Sequence, residues 1–142
     1  MTDRELVESK IDVMMKNLEY LDEIRNLDVE YFLGSFEKKQ AAKHSLQEVI
    51  EASLDIANHV ISSEGWSRAE TYAEMFERLC DNQVIDKSLR DKLADMARFR
   101  NLLVHRYGTI DEKRLFVIIM ENLDDVHSFI EEIYKYMERE DL

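Results

Sequence analysis

The sequence predicts an all-α fold, an up-and-down bundle of four long helices plus a shorter one, in a single domain spanning residues 1–142. The chain contains no proline and only three glycines, so it lacks the residues that punctuate turn-rich β folds. Its apolar residues recur at intervals of three and four, which is the period of one helix face. Its length favours one domain with one hydrophobic core.

The first half of the chain contains two long amphipathic segments. The first covers residues 5–26, and Asp28 can cap a short helical piece that follows it. Gly34 then offers a break, after which the second long helix begins near Glu37. The Ser-Ser-Glu-Gly sequence at residues 62–65 predicts the end of this helix.

The second half of the chain predicts three more helices. A shorter helix covers about residues 69–80. Asp86 is a good N-cap for a fourth helix, whose apolar positions continue toward Gly108. Asp111 caps the last helix, whose apolar face extends to Met137.

Several classes of protein are excluded by composition. The longest uninterrupted apolar run covers residues 115–120, far short of the roughly 20 residues that span a bilayer. The acidic, polar N-terminus lacks the apolar region of a signal peptide. Cys80 is the single cysteine, and the four histidines are scattered without metal-ligand spacing. We therefore expect a soluble cytoplasmic protein with no membrane attachment, metal or other cofactor.

Basic residues are concentrated in one segment of an acidic chain. The net charge of −12 argues against a nucleic-acid partner, because phosphate binding normally requires a positive surface. Residues 87–114, however, carry eight basic and four acidic side chains, a net charge of +4 against −16 in the remainder. This segment is either a chance cluster on a solvated helix face or a surface that contacts phosphates.

Residues 96–107 hold the candidate functional side chains. At about 100° per residue, Arg100 and Tyr107 lie within roughly 20° of each other, and Asn101 and His105 within roughly 40°. Arg100 and His105 are about 140° apart, so one straight helix would not direct both at one small group. A two-fold dimer with these helices at its seam would do so, since each cleft could take residues from both chains. The alternative is that these cations are simply favoured by the dipole at a helix C-terminus.

The sequence RNLLVHRY at residues 100–107 consists of an arginine, four residues, a histidine, any residue and a tyrosine. It resembles the motif of HEPN-domain proteins of the HepT-like type. Segments 46–61, 70–79 and 84–86 resemble the same family in the same order. The resemblance covers about residues 4–135.

The resemblance implies a HEPN-like helical bundle that forms a homodimer and places its arginine and histidine motifs in a shared cleft. Active members of the family are metal-independent endoribonucleases that act on RNA as the toxins of toxin–antitoxin pairs. Their partner is an MNT-type nucleotidyltransferase antitoxin, which silences the toxin by adding AMP to the motif tyrosine. In this sequence that tyrosine is Tyr107.

The residue types agree with this chemistry. Cleavage through a 2′,3′-cyclic phosphate needs a base for the ribose 2′-hydroxyl, which a histidine titrating near neutral pH can supply. It also needs a cation for the charge that builds on phosphorus, and the planar guanidinium of arginine suits a phosphate oxyanion. We therefore predict that His105 is the base and that Arg100 stabilises the developing charge.

Three other residues are candidates for supporting roles. Asn101 could orient His105 or hold a phosphate oxygen, or it could be an ordinary hydrogen-bonding residue of the helix. Asp55 and His59 are four residues apart on the second long helix, so they share a face. They could line the cleft and tune His105, or form a plain hydrogen-bonded pair.

Two arginines and the lone tryptophan complete the candidates. Arg98 and Arg106 could bind RNA phosphates or serve solubility on an exposed helix. Trp66 lies between predicted helices, where capping the core is favoured over stacking with a base.

Two functional classes are compatible with the sequence. The first is a catalytic ribonuclease, which the intact motif favours. The second is a non-catalytic HEPN module that binds a nucleotidyltransferase and presents nucleotide or substrate to it. The overall acidity favours the second, because it weakens general affinity for RNA.

Overall fold

The computed structural model describes residues 2–105 and 110–140. These residues form helices and no β-strand, which confirms the predicted all-α fold with four long helices and a shorter one. A further five-residue helix lies at the position of the expected short helical piece. In chain order the helices are α1 (Arg4–Arg25), α2 (Val29–Leu33), α3 (Phe36–Glu64), α4 (Tyr72–Asp81), α5 (Lys87–His105) and α6 (Glu112–Glu140).

Capping side chains set the starts of the later helices. Asp86 accepts a hydrogen bond from the Leu89 N–H at 2.8 Å, and Asp111 accepts one from the Lys113 N–H at 3.0 Å. Both predicted caps are therefore confirmed. Asp28 is the N-cap residue of α2 as expected, but its side chain makes no capping hydrogen bond, and only its backbone carbonyl accepts one, from the Phe32 N–H.

The connection between α3 and α4 differs in part from the prediction. α3 ends as expected, where Gly65 adopts a φ of +73°, a left-handed conformation that glycine adopts without strain. α4 begins at Tyr72, later than the expected start near residue 69. The reason is a local cap, since the Thr71 hydroxyl accepts a hydrogen bond from the Glu74 N–H at 3.1 Å.

Three other helices pack against α5. α5 packs against α3, α4 and α6, while α1 packs against α3 and α6. Aromatic rings fill the space between the helices, with a centroid distance of 5.2 Å between Phe32 and Phe116 and of 6.1 Å between Phe76 and Phe129. Because α5 carries the predicted motif, this packing fixes where its side chains lie. No helix within the described ranges is both long and apolar enough to cross a membrane.

A polar cluster joins the two ends of the described chain. The Thr2 hydroxyl oxygen lies 3.1 Å from that of Tyr136 and 3.2 Å from a Glu140 carboxylate oxygen. Tyr136 also donates a short hydrogen bond to Glu64 at the end of α3. Burial, together with this hydrogen bond, raises the pKa of Tyr136 well above its usual value. Tyr136 therefore stays protonated and continues to donate at physiological pH.

Candidate functional site

Arg100 is held between two helices near the end of α5. Its Nη2 lies 3.4 Å from Oε1 of Glu51 on α3, and its Cζ lies 5.6 Å from the ring centroid of Tyr72 on α4. Its Nε is buried and has no hydrogen-bond partner among the described residues. One edge of the guanidinium is therefore anchored, while the Nε–H donor is unused.

Arg100 borders a cavity of about 440 Å³ between α3, α4 and α5. This volume lies within the range typical of small-ligand sites. The polar side chains around the cavity carry both signs of charge, which suits a ligand with a phosphate and hydroxyl groups. The lining residues are Glu51, Leu54, Asp55, Asn58, Arg68, Ala69, Tyr72, Met75 and Arg100.

His105 and Asn101 lie outside this cavity. His105 is the last residue of α5, and both side chains are exposed. His105 follows Arg100 by five positions, which corresponds to a rise of about 7.5 Å along a helix axis. The described chain therefore directs Arg100 into the cavity and leaves His105 at the solvent-facing end of the same helix.

The two predicted supporting residues of α3 both border a cavity of about 350 Å³ that faces α1, but they have different partners. Asp55 lines the cavity beside Arg100, and its carboxylate lies 3.0 Å from Nζ of Lys10 on α1. His59 faces the N-terminus instead, where its Nε2 accepts a hydrogen bond from the Asp3 backbone N–H at 2.9 Å. The two side chains do not form a mutual hydrogen bond.

The remaining predicted residues have different surroundings. Arg98 is exposed on α5 and forms an ion pair with Asp95 one turn earlier. Arg98 borders a separate cavity of about 280 Å³ between α4 and α5. Arg106 and Tyr107 lie outside the described residues.

The partners of Arg100 on α3 are not predicted from the sequence. Gln47 donates a hydrogen bond from Nε2 to Oε1 of Glu51 at 3.4 Å, and the same oxygen faces Arg100. Gln47, Glu51 and Asp55 follow one another at intervals of four on α3. That spacing forms a polar stripe on a helix with an otherwise apolar inner face, and it is the signal that could have identified Glu51.

Comparisons with known proteins agree on one family. A family model described as ribonuclease HepT-like matches residues 14–133. A tRNA nuclease HepT of Aphanizomenon flos-aquae is 26% identical over 132 residues, which cover 93% of this chain and 90% of the relative. An mRNA nuclease HepT of Shewanella oneidensis is 25% identical over 129 residues, which cover 91% of this chain and 96% of the relative.

Solved structures share the fold. A tri-AMPylated HEPN toxin of Shewanella oneidensis, in complex with an MNT antitoxin, superposes with a TM-score of 0.84 at 25% identity. That similarity covers 95% of this chain and 99% of the toxin. YutE of Bacillus subtilis, described as a cytosolic protein of unknown function, superposes with a TM-score of 0.88 at 23% identity, covering 98% of this chain and 93% of YutE.

Proposed function

Because the chain belongs to the ribonuclease HepT-like family, we propose that it is a cytoplasmic, metal-independent endoribonuclease that acts as the toxin of a HEPN/MNT toxin–antitoxin pair. The names of two relatives support RNA cleavage, since one is a tRNA nuclease and the other an mRNA nuclease. The pairing is supported by the Shewanella oneidensis toxin, whose structure contains an MNT antitoxin.

The observation that carries the proposal is the position of Arg100. This guanidinium borders a polar cavity, is anchored by Glu51 through Nη2, and has a buried Nε–H without a partner in the described part of the chain. An arginine with a free donor edge is suited to a phosphate oxygen, because its fork of N–H groups matches the geometry of that group. Arg100 therefore binds the scissile phosphate.

The reaction is an attack by the ribose 2′-oxygen on the adjacent phosphorus. His105 removes the proton of the 2′-hydroxyl, the new oxygen–phosphorus bond closes a 2′,3′-cyclic phosphate, and the bond to the 5′-oxygen breaks. The leaving 5′-oxygen takes up a proton. Arg100 stabilises the negative charge that builds on the phosphate oxygens in between. Asn101 orients His105 or holds a phosphate oxygen. Asp55 borders the cavity that Arg100 lines.

A homodimer completes this site. His105 is exposed at the end of α5, while Arg100 points into the cavity. A two-fold axis near the end of α5 would put both motifs in a shared cleft and restrict access of water to His105. Light scattering of the purified protein at micromolar concentration should give the mass of a dimer, and a monomeric mass would contradict this arrangement.

The switch is Tyr107, to which an MNT-type nucleotidyltransferase adds AMP. A phosphodiester there adds negative charge two residues from His105 and places a nucleotide where RNA phosphates bind. Arg98 and Arg106 contact phosphates outside the scissile position. His59, which accepts a hydrogen bond from Asp3, contributes by anchoring the start of α1 beside α3.

The non-catalytic alternative is favoured by one observation, the net charge of −12. Intact mass and RNA cleavage separate the two functions when both are measured on the protein alone and after incubation with the partner and ATP. A catalytic toxin cleaves RNA when unmodified and loses cleavage as it gains an AMP-sized mass. A presenting module binds the partner but does not cleave RNA in either form.

A further inference from the structure

Three cavities adjoin one another along the C-terminal half of α3. The cavity of about 440 Å³ beside Arg100 shares Asp55 and Asn58 with a cavity of about 350 Å³ facing α1. It shares both Asn58 and Arg68 with a cavity of about 410 Å³ beside Trp66. Asn58 borders all three, and we call the surface that the three cavities occupy together the α3 groove.

The loop between α3 and α4 forms one wall of the α3 groove and is fixed by hydrogen bonds. The Trp66 N–H donates to a carbonyl in the last turn of α3 at 3.1 Å. Arg78 donates from Nε to the Ser67 carbonyl at 3.1 Å, and the Glu70 N–H donates to the Glu74 carboxylate at 2.8 Å. The side chains of this loop therefore project from a preorganised backbone, which lowers the ordering cost of binding.

The charge of the α3 groove differs from that of the chain. Three cations, Lys10, Arg68 and Arg100, line it together with two carboxylates, Glu51 and Asp55. It therefore has a net charge of +1, in a chain whose net charge is −12. Glu51 faces Arg100 and Asp55 faces Lys10, whereas Arg68 forms no ion pair within the described residues. Arg68 is thus available to an anion.

Trp66 gives the α3 groove an aromatic surface. Its side chain packs partly against the core and borders the cavity of about 410 Å³ together with Arg68. A cationic groove combined with an aromatic surface is the arrangement with which proteins hold single-stranded nucleic acid, because phosphates bind the cations and bases stack on the rings. Arg100, the proposed ligand of the scissile phosphate, lies at one end of the groove.

We propose that the α3 groove binds the single-stranded RNA that flanks the scissile phosphate, with Arg68 contacting a backbone phosphate and Trp66 stacking with a base. This inference rests on the proposed ribonuclease function, because the flanking strand is defined relative to Arg100. It also assigns functions to two residues outside the motif at residues 100–107.

Trp66 is the only tryptophan in the chain, so its fluorescence reports directly on this groove. The probe is an oligonucleotide of about eight nucleotides, with 2′-O-methyl groups that prevent attack by the 2′-oxygen. Stacking with a base is expected to quench Trp66 as the oligonucleotide is titrated into the full-length protein. Saturable binding without a change in Trp66 fluorescence would contradict stacking.

Arg68→Ala tests the phosphate contact. Its affinity for the oligonucleotide should fall by about threefold to tenfold, and the slope of log affinity against log salt should decrease by about 0.7. Lys135→Ala is the matched control, because it removes one positive charge from an exposed position of α6 outside the three cavities. It should change the affinity by less than about twofold. Equal effects of the two variants would show that only net charge matters.

Substitution of Trp66 tests the aromatic contact. Trp66→Ala should weaken binding by about tenfold, measured by anisotropy of a labelled oligonucleotide. Trp66→Phe keeps a ring for both stacking and core packing, so it should retain most of the affinity. If Trp66→Ala unfolds, Trp66→Phe and Arg68→Ala still decide the result. A Trp66→Phe variant that melts normally and binds as weakly as the non-aromatic Trp66→Leu would contradict the proposal.

Cleavage assays distinguish failure of this proposal from failure of the proposed function. A wild-type protein that cleaves RNA, with an unchanged KM for Arg68→Ala, would overturn the groove and leave the ribonuclease intact. A wild-type protein that neither cleaves nor binds RNA would overturn both. If Arg68→Ala weakened binding of an MNT-type partner protein but not of the oligonucleotide, the groove would be a protein interface and the proposal would be wrong.

Discussion

Glu51 should determine how well Arg100 works, although it takes no part in the chemistry. Its Oε1 lies 3.4 Å from Nη2 of Arg100 and also accepts a hydrogen bond from Gln47. Glu51→Ala removes this anchor and leaves the guanidinium supported only by the ring of Tyr72. We expect the variant to fold and to bind RNA, but to cleave it more slowly.

The magnitude follows from the geometry. Two unit charges 3.4 Å apart attract by about 5 kcal/mol at an effective dielectric constant of about 20. The two side chains are 23% and 35% exposed, so solvent and salt reduce the net value to about 1 kcal/mol. If this energy holds Arg100 in its reactive position, kcat should fall about fivefold with little change in KM. Glu51→Gln keeps a carbonyl acceptor for Arg100 and should recover most of the loss.

The assay is initial-rate cleavage of a short RNA over a range of RNA concentrations, which gives kcat and KM, with thermal melting as a check on folding. Glu48→Ala is the control, because Glu48 lies on the same helix, pairs with His44 at 3.8 Å and does not border the cavity. It should leave kcat unchanged. If Glu51 merely competes with the phosphate for Arg100, its removal would lower KM at constant kcat. That outcome would refute the positioning role.

Three further predictions concern single side chains. Arg100→Ala and His105→Ala should each reduce the rate of RNA cleavage by about two to four orders of magnitude at unchanged melting temperature. A chelator should have no effect on cleavage. Rapid cleavage by folded His105→Ala protein would refute the mechanism. Tyr107→Phe should remain an active ribonuclease, because a phenol with a pKa near 10 is a poor base at neutral pH. It should also escape silencing, and an AMP-sized mass on another residue with equal silencing would reject Tyr107 as the switch. Tyr136→Phe should lower the free energy of unfolding by about 1 to 3 kcal/mol in denaturant titrations, because it leaves the Glu64 carboxylate without its donor.

The helices could be predicted because their signals are local. Asp86 and Asp111 cap the helices that follow them, and Gly65 ends α3, each through contacts within a few residues. The predicted start of α4 is too early, because the apolar periodicity extends beyond the helix itself. The residue at which α4 begins is set by the capping hydrogen bond to the Thr71 hydroxyl.

The candidate site was only partly predictable, because its contacts join distant parts of the chain. Arg100 stands out in the sequence by its charge and its motif. Glu51 carries only the weaker signal of a polar stripe on α3, and its contact with Arg100 depends on how α5 packs against α3. The sequence favours Trp66 as a cap of the core, and its partial burial agrees with that. Trp66 also borders a cavity together with Arg68. This placement depends on the turn that the chain makes at Gly65.

The polar cluster of Thr2, Tyr136 and Glu140 affects how the protein can be engineered. Thr2 Oγ1 lies 3.2 Å from a Glu140 carboxylate oxygen, so the first and last residues that the structure describes are neighbours. Thr2 also lies 3.1 Å from the Ser63 hydroxyl, two residues before the loop that carries Trp66 begins. A bulky purification tag at either terminus would therefore be attached close to this cluster and to the end of α3. Circular permutation avoids this, because a short linker can join the old termini while the exposed Gly34, between α2 and α3, provides new ones.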